Sequence, residues 1–242
     1  MSIHIITHAY SVQLPQYAVF LRAQLSSLIL YSGPVDKRIT VCHLPEDEAV
    51  VKVLDSFQAE MGERLIRLPL CYGDLTRRSI GRNRAALASQ GDLVWFADAD
   101  YFFGPNCLWS LDYVWRHYSP STRPRLLFPD GVRIHATHQL GDEFWQKHQE
   151  ANYVIQPDFA EFVWKSYYRA IGGIQIANGD DARQFGYLND QPHWQVPNPE
   201  GTKPFCTVDD TKYRRAISRR GPIERISIPS LYRLRHSRVS YR

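Results

Sequence analysis

The spacing of apolar residues changes between two periods along the first half of the chain. Short apolar runs, typical of buried strands, alternate with longer segments whose apolar residues recur every three or four positions, as in helices. This order predicts an α/β fold in which helices flank a mostly parallel central sheet. The predicted strands lie at 3–10, 37–44, 64–70 and 92–100, and the predicted helices lie at 16–32, 46–62, 80–90 and 105–117.

The second half of the chain has a less regular pattern, with a proline-rich loop at 189–204. No repeat or linker separates the two halves, so residues 1–118 and 119–242 are expected to form one continuous domain. The pattern of this half predicts a strand or hairpin at 123–134, a helix at 158–173, a short strand at 174–179, a helix at 207–221 and a closing strand and turn at 224–237.

Two aspartates, Asp98 and Asp100, end the apolar run at 92–100. In an extended strand, side chains two residues apart share a face and are separated by roughly 6.6 Å. Two negative charges at that distance repel by about 2.5 kcal/mol, which either a divalent cation or solvent can offset. Because open α/β sheets bind ligands outside the carboxyl ends of their strands, this position favours a binding site over a solvated turn.

Positive charge is concentrated at the end of the chain. The 242 residues have a formal net charge of +4, but residues 212–242 contain ten Lys or Arg and one carboxylate, Glu224. This segment therefore carries +9, and the remaining residues must sum to −5. Such asymmetry favours an acidic partner, such as DNA, another phosphate-rich molecule or an anionic membrane, with a solvated basic tail as the alternative.

The remaining composition is that of a globular protein, with 44% hydrophobic and 22% charged residues. No apolar stretch is long enough to span a bilayer, and the first residues lack a signal-peptide pattern. The four cysteines include no Cys-x-x-Cys pair, which argues against a zinc site or a disulfide framework. Cys42 and Cys71 are expected to pack as reduced thiols in apolar strand-like runs, and a cytoplasmic location fits best.

The segment RRSIGRNRAALASQGDLVWFADADYFF, residues 77–103, resembles the central segment of GT-A-fold glycosyltransferases, in particular the inverting family 2 group. Members of that group have an Arg-Asn helix, a Gly-Asp turn and an apolar strand that ends in Asp-x-Asp. The resemblance covers the layout of residues 1–118 and implies a single GT-A (Rossmann-like) domain. The matching residues are Arg82, Asn83, Ala85, Gly91, Asp92, Asp98 and Asp100.

The resemblance implies that residues 1–118 bind a nucleoside-diphosphate sugar, for example a UDP-sugar, and that residues 119–242 bind the acceptor. In such enzymes a Mn²⁺ or Mg²⁺ ion neutralises the charge that develops on the departing diphosphate. Asp100 is expected to bind this ion directly, and Asp98 to bind the ion or the ribose. Many relatives have a late histidine as a further metal ligand, and His236 matches it, a surface histidine being the alternative.

The acidic pair in TVDDTKY, Asp209 and Asp210, matches a pair that supplies the catalytic base in family 2 relatives. A carboxylate across the sugar from the leaving group takes the proton of the acceptor hydroxyl, which implies inversion at the anomeric carbon. Spacing does not decide which aspartate acts, and capping of a helix N-terminus is the alternative role. Arg82 is expected to bind the diphosphate, with a surface salt bridge as the alternative.

Further donor contacts are expected from the end of the first strand and from the same helix. His8 and Tyr10 are expected beside the nucleoside, with Tyr10 available to stack on the base, and core packing is the alternative for both. Asn83 is expected at the donor through its place in the motif. Relatives have an aspartate near the end of the second strand to read uracil, whereas this chain has CHLPED at 42–47, which leaves the nucleotide open. The absence of glycine from THAYSVQLP argues against sugar-nucleotide pyrophosphorylases.

The acceptor has two candidates under this resemblance. One is a bacterial surface glycan or lipid-linked saccharide, and the other is DNA with a hydroxymethylated base, as in phage enzymes that glycosylate DNA. The basic end of the chain suits anionic lipid and DNA equally. A non-catalytic module that binds nucleotide or nucleic acid is a further alternative. The segment GGIQIANGDD, residues 172–181, is a candidate for shaping the acceptor pocket.

Overall fold

The computed structural model describes residues 1–12, 16–31, 33–135, 159–198 and 208–234. The strands are β1 (Ser2–Ala9), β2 (Asp36–His43), β3 (Leu65–Pro69), β4 (Leu93–Phe96), β5 (Tyr101–Phe103), β6 (Leu126–Pro129), β7 (Gly131–His135), β8 (Phe162–Ser166), β9 (Gln175–Asn178), β10 (Ile223–Ile226) and β11 (Leu231–Arg233). The helices are α1 (Gln16–Leu30), α2 (Glu48–Met61), α3 (Tyr72–Leu75), α4 (Arg78–Leu87), α5 (Cys107–His117), α6 (Gly179–Phe185) and α7 (Asp209–Ser218).

The described strands form two sheets. The main sheet has seven strands in the order β10-β6-β9-β4-β1-β2-β3, and the second has four in the order β5-β11-β7-β8. In the main sheet, β9 runs antiparallel to both of its neighbours, and the other described pairs are parallel. The prediction of an α/β fold with a mostly parallel central sheet is therefore confirmed.

Helices cover both faces of the main sheet because alternate strand residues point to opposite sides. Ile5 belongs to the core that packs against α1, α2 and α5, whereas its neighbour Ile6 belongs to the core beneath α4, α6 and α7. Trp95 in β4 is fully buried in the first core, and its indole Nε1 donates to the carbonyl oxygen of Gly173 over 3.0 Å. Truncation of a tryptophan buried in this way costs about 3–5 kcal/mol.

Helix α1 is buried on nearly every side because it lies between the two sheets. Leu21 and Leu25 pack into the core of the main sheet, and Phe20 and Ala23 pack against the second sheet. Its polar residues Gln24 and Ser27 are buried as well, and Ser27 Oγ donates to the carbonyl oxygen of Gln24. No helix in the described ranges is long and apolar enough to cross a membrane.

Several local predictions are wrong. The helix expected at 158–173 is a short turn followed by β8, because its Phe-Val-Trp run is a strand former and pairs with β7. Cys71 is exposed beyond the end of β3, whereas Cys42 is buried as expected. Pro105 precedes helix α5, which follows Asn106 in a left-handed conformation at φ 65°.

The segments predicted at 123–134 and 224–237 each correspond to two strands. The segment at 123–134 contains β6 and β7, which belong to different sheets. The closing segment likewise divides into β10 in the main sheet and β11 in the second sheet. Each division carries the chain from one sheet to the other, and β11 thereby reaches the turn after β4.

Candidate active site

Asp98 lies in a turn beyond β4, which ends at Phe96. The chain leaves the main sheet here because Tyr101–Phe103 pairs with β11 in the second sheet. The amide of Tyr101 donates to the carbonyl oxygen of Asp98 over 3.2 Å and closes the turn. The expectation that Asp98 and Asp100 share one face of a continuing strand is therefore wrong, although both lie at the predicted edge of the sheet.

Two arginines of α4 neutralise Asp98. Arg78 Nη1 lies 2.7 Å and Arg82 Nη2 lies 3.1 Å from Asp98 Oδ1. The two arginines are four residues apart, so they share one face of the helix. Burial alone would raise the pKa of Asp98, but the charges of Arg78 and Arg82 outweigh it and hold this pKa below its ordinary value. The repulsion inferred from the sequence is thus offset by guanidinium groups.

Asp100 pairs with an arginine from the end of the described chain. Arg233 Nε donates to Asp100 Oδ2 over 2.8 Å, and the amide of Leu234 donates to the Asp100 carbonyl oxygen over 2.7 Å. The other carboxylate oxygen, Oδ1, is buried and has no hydrogen-bond partner among the described residues. Burial raises the pKa of Asp100 even though Arg233 opposes the shift.

Arg82 joins Asp98 to the second acidic pair. Its side chain is 1% exposed, and its Nη1 lies 2.6 Å from Asp210 Oδ1 while its Nη2 contacts Asp98. Burial opposes the charge of Arg82, but Tyr187, Asp210 and Asp98 outweigh it and raise the pKa of the guanidinium. Arg82 therefore remains charged in the interior, in place of the surface salt bridge considered as its alternative role.

One oxygen of Asp210 is fixed and the other is directed at a glycine. Tyr187 donates its hydroxyl to Asp210 Oδ1 over 2.9 Å, on the same oxygen that Arg82 contacts. A Cβ atom added to Gly172 would collide with Asp210 Oδ2 and would lie 3.5 Å from Asp98 Oδ2. Asp98 and Asp210 thus approach the same point of the backbone from two sides.

The neighbouring carboxylate of Asp209 has a different environment. The residue is 6% exposed, and its Oδ1 has no hydrogen-bond partner among the described residues. Burial raises the pKa of Asp209 from 3.8 to about 6. Both aspartates stand in the first turn of α7, but neither side chain caps this helix, whose N-cap residue is Val208.

His8 and Tyr10 are both buried, at 4% and 3% exposure. Neither ring nitrogen of His8 has a hydrogen-bond partner among the described residues, and burial followed by the charge of Arg82 lowers its pKa well below the ordinary value. The ring of Tyr10 stacks on Tyr17 with 5.4 Å between centroids. Gly81 lets α4 approach this end of β1, because a Cβ there would meet His8 Nε2 at 2.5 Å.

Asn83 and Asp47 have structural contacts close to the site. Asn83 Oδ1 accepts the amide of Tyr187 over 3.0 Å, and its Nδ2 donates to Asn189 over 3.0 Å, so it holds the segment that carries Tyr187. In the CHLPED segment, Asp47 Oδ1 accepts the hydroxyl of Ser11 over 2.6 Å and caps α2.

The predicted metal ligands are brought together in part. Asp98 and Asp100 lie in one turn, whereas His236 lies outside the described residues. Within the described ranges there is no cluster of three or more His, Cys, Asp or Glu side chains suited to a metal ion. Two carboxylates nevertheless fit Mg²⁺ or a similar ion, because such ions combine one or two carboxylates with water and substrate phosphates. The unpartnered Asp100 Oδ1 supplies a free oxygen for this purpose.

Sequence reasoning missed three residues that complete the site, namely Arg78, Arg233 and Tyr187. Arg78 carries a usable signal, since it stands one helical turn before Arg82. Arg233 lies three residues before His236, without a pattern that assigns it to Asp100. Tyr187 carries no local signal, because its role depends on a contact across the fold. Gly172 begins the segment proposed for the acceptor pocket, but its contact with Asp210 has no signal in the sequence.

Comparison with known proteins supports the architecture. No protein-family model and no curated protein matches the chain significantly. A structure of Staphylococcus aureus TarS residues 1–349 matches with a TM-score of 0.57 at 13% identity, covering 97% of this chain and 60% of that one. Another TarS structure matches with a TM-score of 0.56 at 15% identity, covering 97% and 37%. The chain therefore spans less than two thirds of the length of either TarS structure. Its fold is a GT-A-like glycosyltransferase fold.

Proposed function

We propose that the protein is a metal-dependent glycosyltransferase that moves a sugar from a nucleoside diphosphate to an acceptor hydroxyl with inversion. The acceptor in this proposal is a bacterial surface glycan or lipid-linked saccharide. The S. aureus origin of the structures with this fold supports a bacterial setting. The observation that carries the proposal is the buried Arg82, which contacts both the Asp-x-Asp turn and the acidic pair of α7.

This contact supports a reaction centre because the two acidic groups have complementary tasks. Asp98 belongs to the side where diphosphate charge develops, and Asp210 belongs to the side where the acceptor loses its proton. A guanidinium shared by the two fixes their separation before substrates bind, which is the preorganisation that transfer reactions require.

Asp210 is the favoured general base. Arg82 and Tyr187 donate to its Oδ1, which leaves Oδ2 able to accept a proton. In the reaction, the acceptor oxygen bonds to the anomeric carbon as the bond from that carbon to the diphosphate breaks. The acceptor proton passes to Asp210 Oδ2, and the electron pair of the broken bond leaves with the diphosphate. The unpartnered Asp209 is the second candidate.

A Mn²⁺ or Mg²⁺ ion would be held by Asp98 and Asp100, and when bound it supplies positive charge for the departing diphosphate. Arg78, Arg82 and Arg233 lie around the same turn and add charge-assisted hydrogen bonds.

The test is turnover of UDP-, GDP-, CDP- and TDP-sugars, measured as release of nucleoside diphosphate with Mn²⁺, with Mg²⁺ and with EDTA. We expect turnover of one nucleotide class that EDTA abolishes and Mn²⁺ restores. Asp100→Asn should remove this activity, whereas Asp55→Asn is the control because its side chain is 62% exposed. Full turnover in EDTA, or full activity of Asp100→Asn, would contradict the metal-dependent mechanism.

A further inference from the structure

Exposed aromatic rings and arginines lie on and beside β8, apart from the ion-paired turn. They are Trp164 in β8, its neighbour Arg133 in β7, and Tyr168, which lies against Arg225 of β10. We refer to these four residues as the β8 surface. Trp164 is 46% exposed and Tyr168 is 86% exposed, which is unusual for rings of this size.

The neighbouring strand β7 has a glycine, Gly131, where it accommodates the side chain of Trp164. A Cβ atom added to Gly131 would collide with the six-membered ring of Trp164, so the indole rests against bare backbone. Arg133 is the direct cross-strand partner of Trp164 and therefore shares its face of the sheet. The indole thus has one face supported by the sheet and is open elsewhere, beside an exposed guanidinium.

The second ring of the β8 surface also has a cationic neighbour. The guanidinium of Arg225 lies 6.0 Å from the centroid of Tyr168. Among the described residues neither Arg133 nor Arg225 forms an ion pair, so their charges are available to a partner. Glu224 precedes Arg225 in β10, but its carboxylate lies near Tyr118, whose pKa is raised by burial and then by Glu224, on the opposite side expected for adjacent strand residues.

The β8 surface is close to the proposed base along the chain. Gly172, which contacts Asp210, is four positions after Tyr168, and four steps of the chain span at most about 14 Å. This upper bound is within the length of an oligosaccharide of a few sugar rings. A saccharide that presents its terminal hydroxyl to Asp210 can therefore reach Tyr168 with its next few units.

From this arrangement we infer that the β8 surface binds an anionic saccharide, the acceptor of the proposed transfer reaction. Sugar rings present C–H groups that pack on the faces of exposed aromatic rings, and Trp, Tyr and Arg are the residues that dominate binding surfaces. The unpaired arginines select phosphate or carboxylate groups on that saccharide. Two arginines are few for duplex DNA, whose binding commonly involves six to ten phosphate contacts.

This inference rests on the proposed function, so the experiment measures saccharide binding and donor hydrolysis independently of each other. Binding of a phosphorylated oligomannoside and of its dephosphorylated form is measured by titration calorimetry on the full chain. Hydrolysis of the donor, in which water is the acceptor and the nucleoside diphosphate is released, is measured in parallel. The variants are Trp164→Ala, Tyr168→Ala and Arg225→Gln, and the matched control is Trp109→Ala, because Trp109 in α5 is 47% exposed.

We expect the phosphorylated saccharide to bind more tightly than its dephosphorylated form. Each of the three variants should weaken that binding about tenfold, the loss typical of a central aromatic or arginine contact. Trp109→Ala should bind as the unchanged protein does. Donor hydrolysis should be equal in all four variants, since none of the changed residues belongs to the carboxylate and arginine cluster.

Four outcomes would overturn the inference. Equal saccharide binding by all variants, or no binding of the phosphorylated saccharide, removes the β8 surface as its site. Tighter binding of an oligothymidylate that the same three variants abolish assigns the surface to nucleic acid. Tighter binding of phosphatidylglycerol vesicles with the same dependence assigns it to a membrane. If the unchanged protein did not hydrolyse any donor, this would instead contradict the proposed function. The two failures are therefore distinguishable.

Discussion

Arg82 and Asp210 are 128 residues apart in the chain and 2.6 Å apart in space, with the guanidinium 1% exposed. The same guanidinium contacts Asp98 through its other terminal nitrogen. A single buried cation therefore determines the distance between the turn after β4 and the first turn of α7. We therefore expect changes to these residues to affect both the stability and the activity of the protein.

Replacement of Arg82 by methionine should destabilise the protein by about 3–5 kcal/mol, because it leaves two partly buried carboxylates without their shared partner. Arg84→Met in the same helix is the control. Arg84 is 51% exposed and pairs with Asp74, whose side chain is 13% exposed, so its loss leaves one carboxylate instead of two without a partner and should cost less than the loss of Arg82. Urea unfolding at neutral pH measures both values, and equal losses would show that Arg82 has no special role.

The hydroxyl of Tyr187 should affect turnover more than stability. Tyr187→Phe removes one of the two donors to Asp210 Oδ1 and keeps the ring in its packing against Phe96. We expect kcat to fall about tenfold while the donor KM stays unchanged, because the loss of one charge-assisted hydrogen bond loosens the base.

Tyr213→Phe is the matched control for this prediction. Tyr213 stacks on Tyr187 with 4.3 Å between centroids, and its hydroxyl is buried without a hydrogen-bond partner among the described residues. Its removal should therefore leave kcat unchanged. An equal fall in kcat for the two variants would assign the effect to packing and would contradict a positioning role for the Tyr187 hydroxyl.

Much of the donor side of this site is predictable from sequence because it depends on local connectivity. Helix α4 directly precedes β4, and in such a unit the N-terminal part of the helix lies at the carboxyl edge of the strands. Arg82 and Asp98 are therefore expected to be neighbours, and the structure places them 3.1 Å apart. The early end of β4 was not predicted, because it depends on pairing of the following residues with β11.

The remaining contacts depend on how distant elements pack. Tyr187 follows α6, Gly172 precedes the antiparallel strand β9, and Arg233 belongs to β11 in the second sheet. None of these residues lies in a motif that relates it to an aspartate more than twenty residues away. An apolar pattern specifies which face of an element is buried, but it does not specify which polar groups meet at the end of a sheet.

Replacement of each of the two aspartates of α7 by asparagine should have different effects on turnover. Asp210→Asn should abolish transfer with donor binding retained, whereas Asp209→Asn should keep most of the turnover. Donor binding by calorimetry and transfer by diphosphate release measure the two properties. Loss of turnover only in Asp209→Asn would make Asp209 the base instead.

The pH dependence of stability should also identify Asp209. Its pKa is raised from 3.8 to about 6 in the folded state, so the folded protein binds this proton more tightly than the unfolded chain does. The group therefore lowers stability as pH rises from about 4 to 6, by up to about 3 kcal/mol, and the loss persists above that range. Asp209→Asn should gain stability relative to the unchanged protein above pH 6 and lose that gain below pH 4.

Gly172 should be intolerant of any side chain for a reason specific to Asp210. A Cβ at this position would collide with Asp210 Oδ2 but would meet Asp98 Oδ2 at 3.5 Å, an ordinary contact distance. Gly172→Ala should therefore displace the base and lower kcat more than tenfold, while donor affinity stays within about twofold. Gly221→Ala is the control, since a Cβ there meets only the flexible side chain of Arg125. If Gly172→Ala instead weakened donor binding and left kcat intact, the glycine would serve the diphosphate side of the site, and Asp210 Oδ2 would lose its assignment as the proton acceptor.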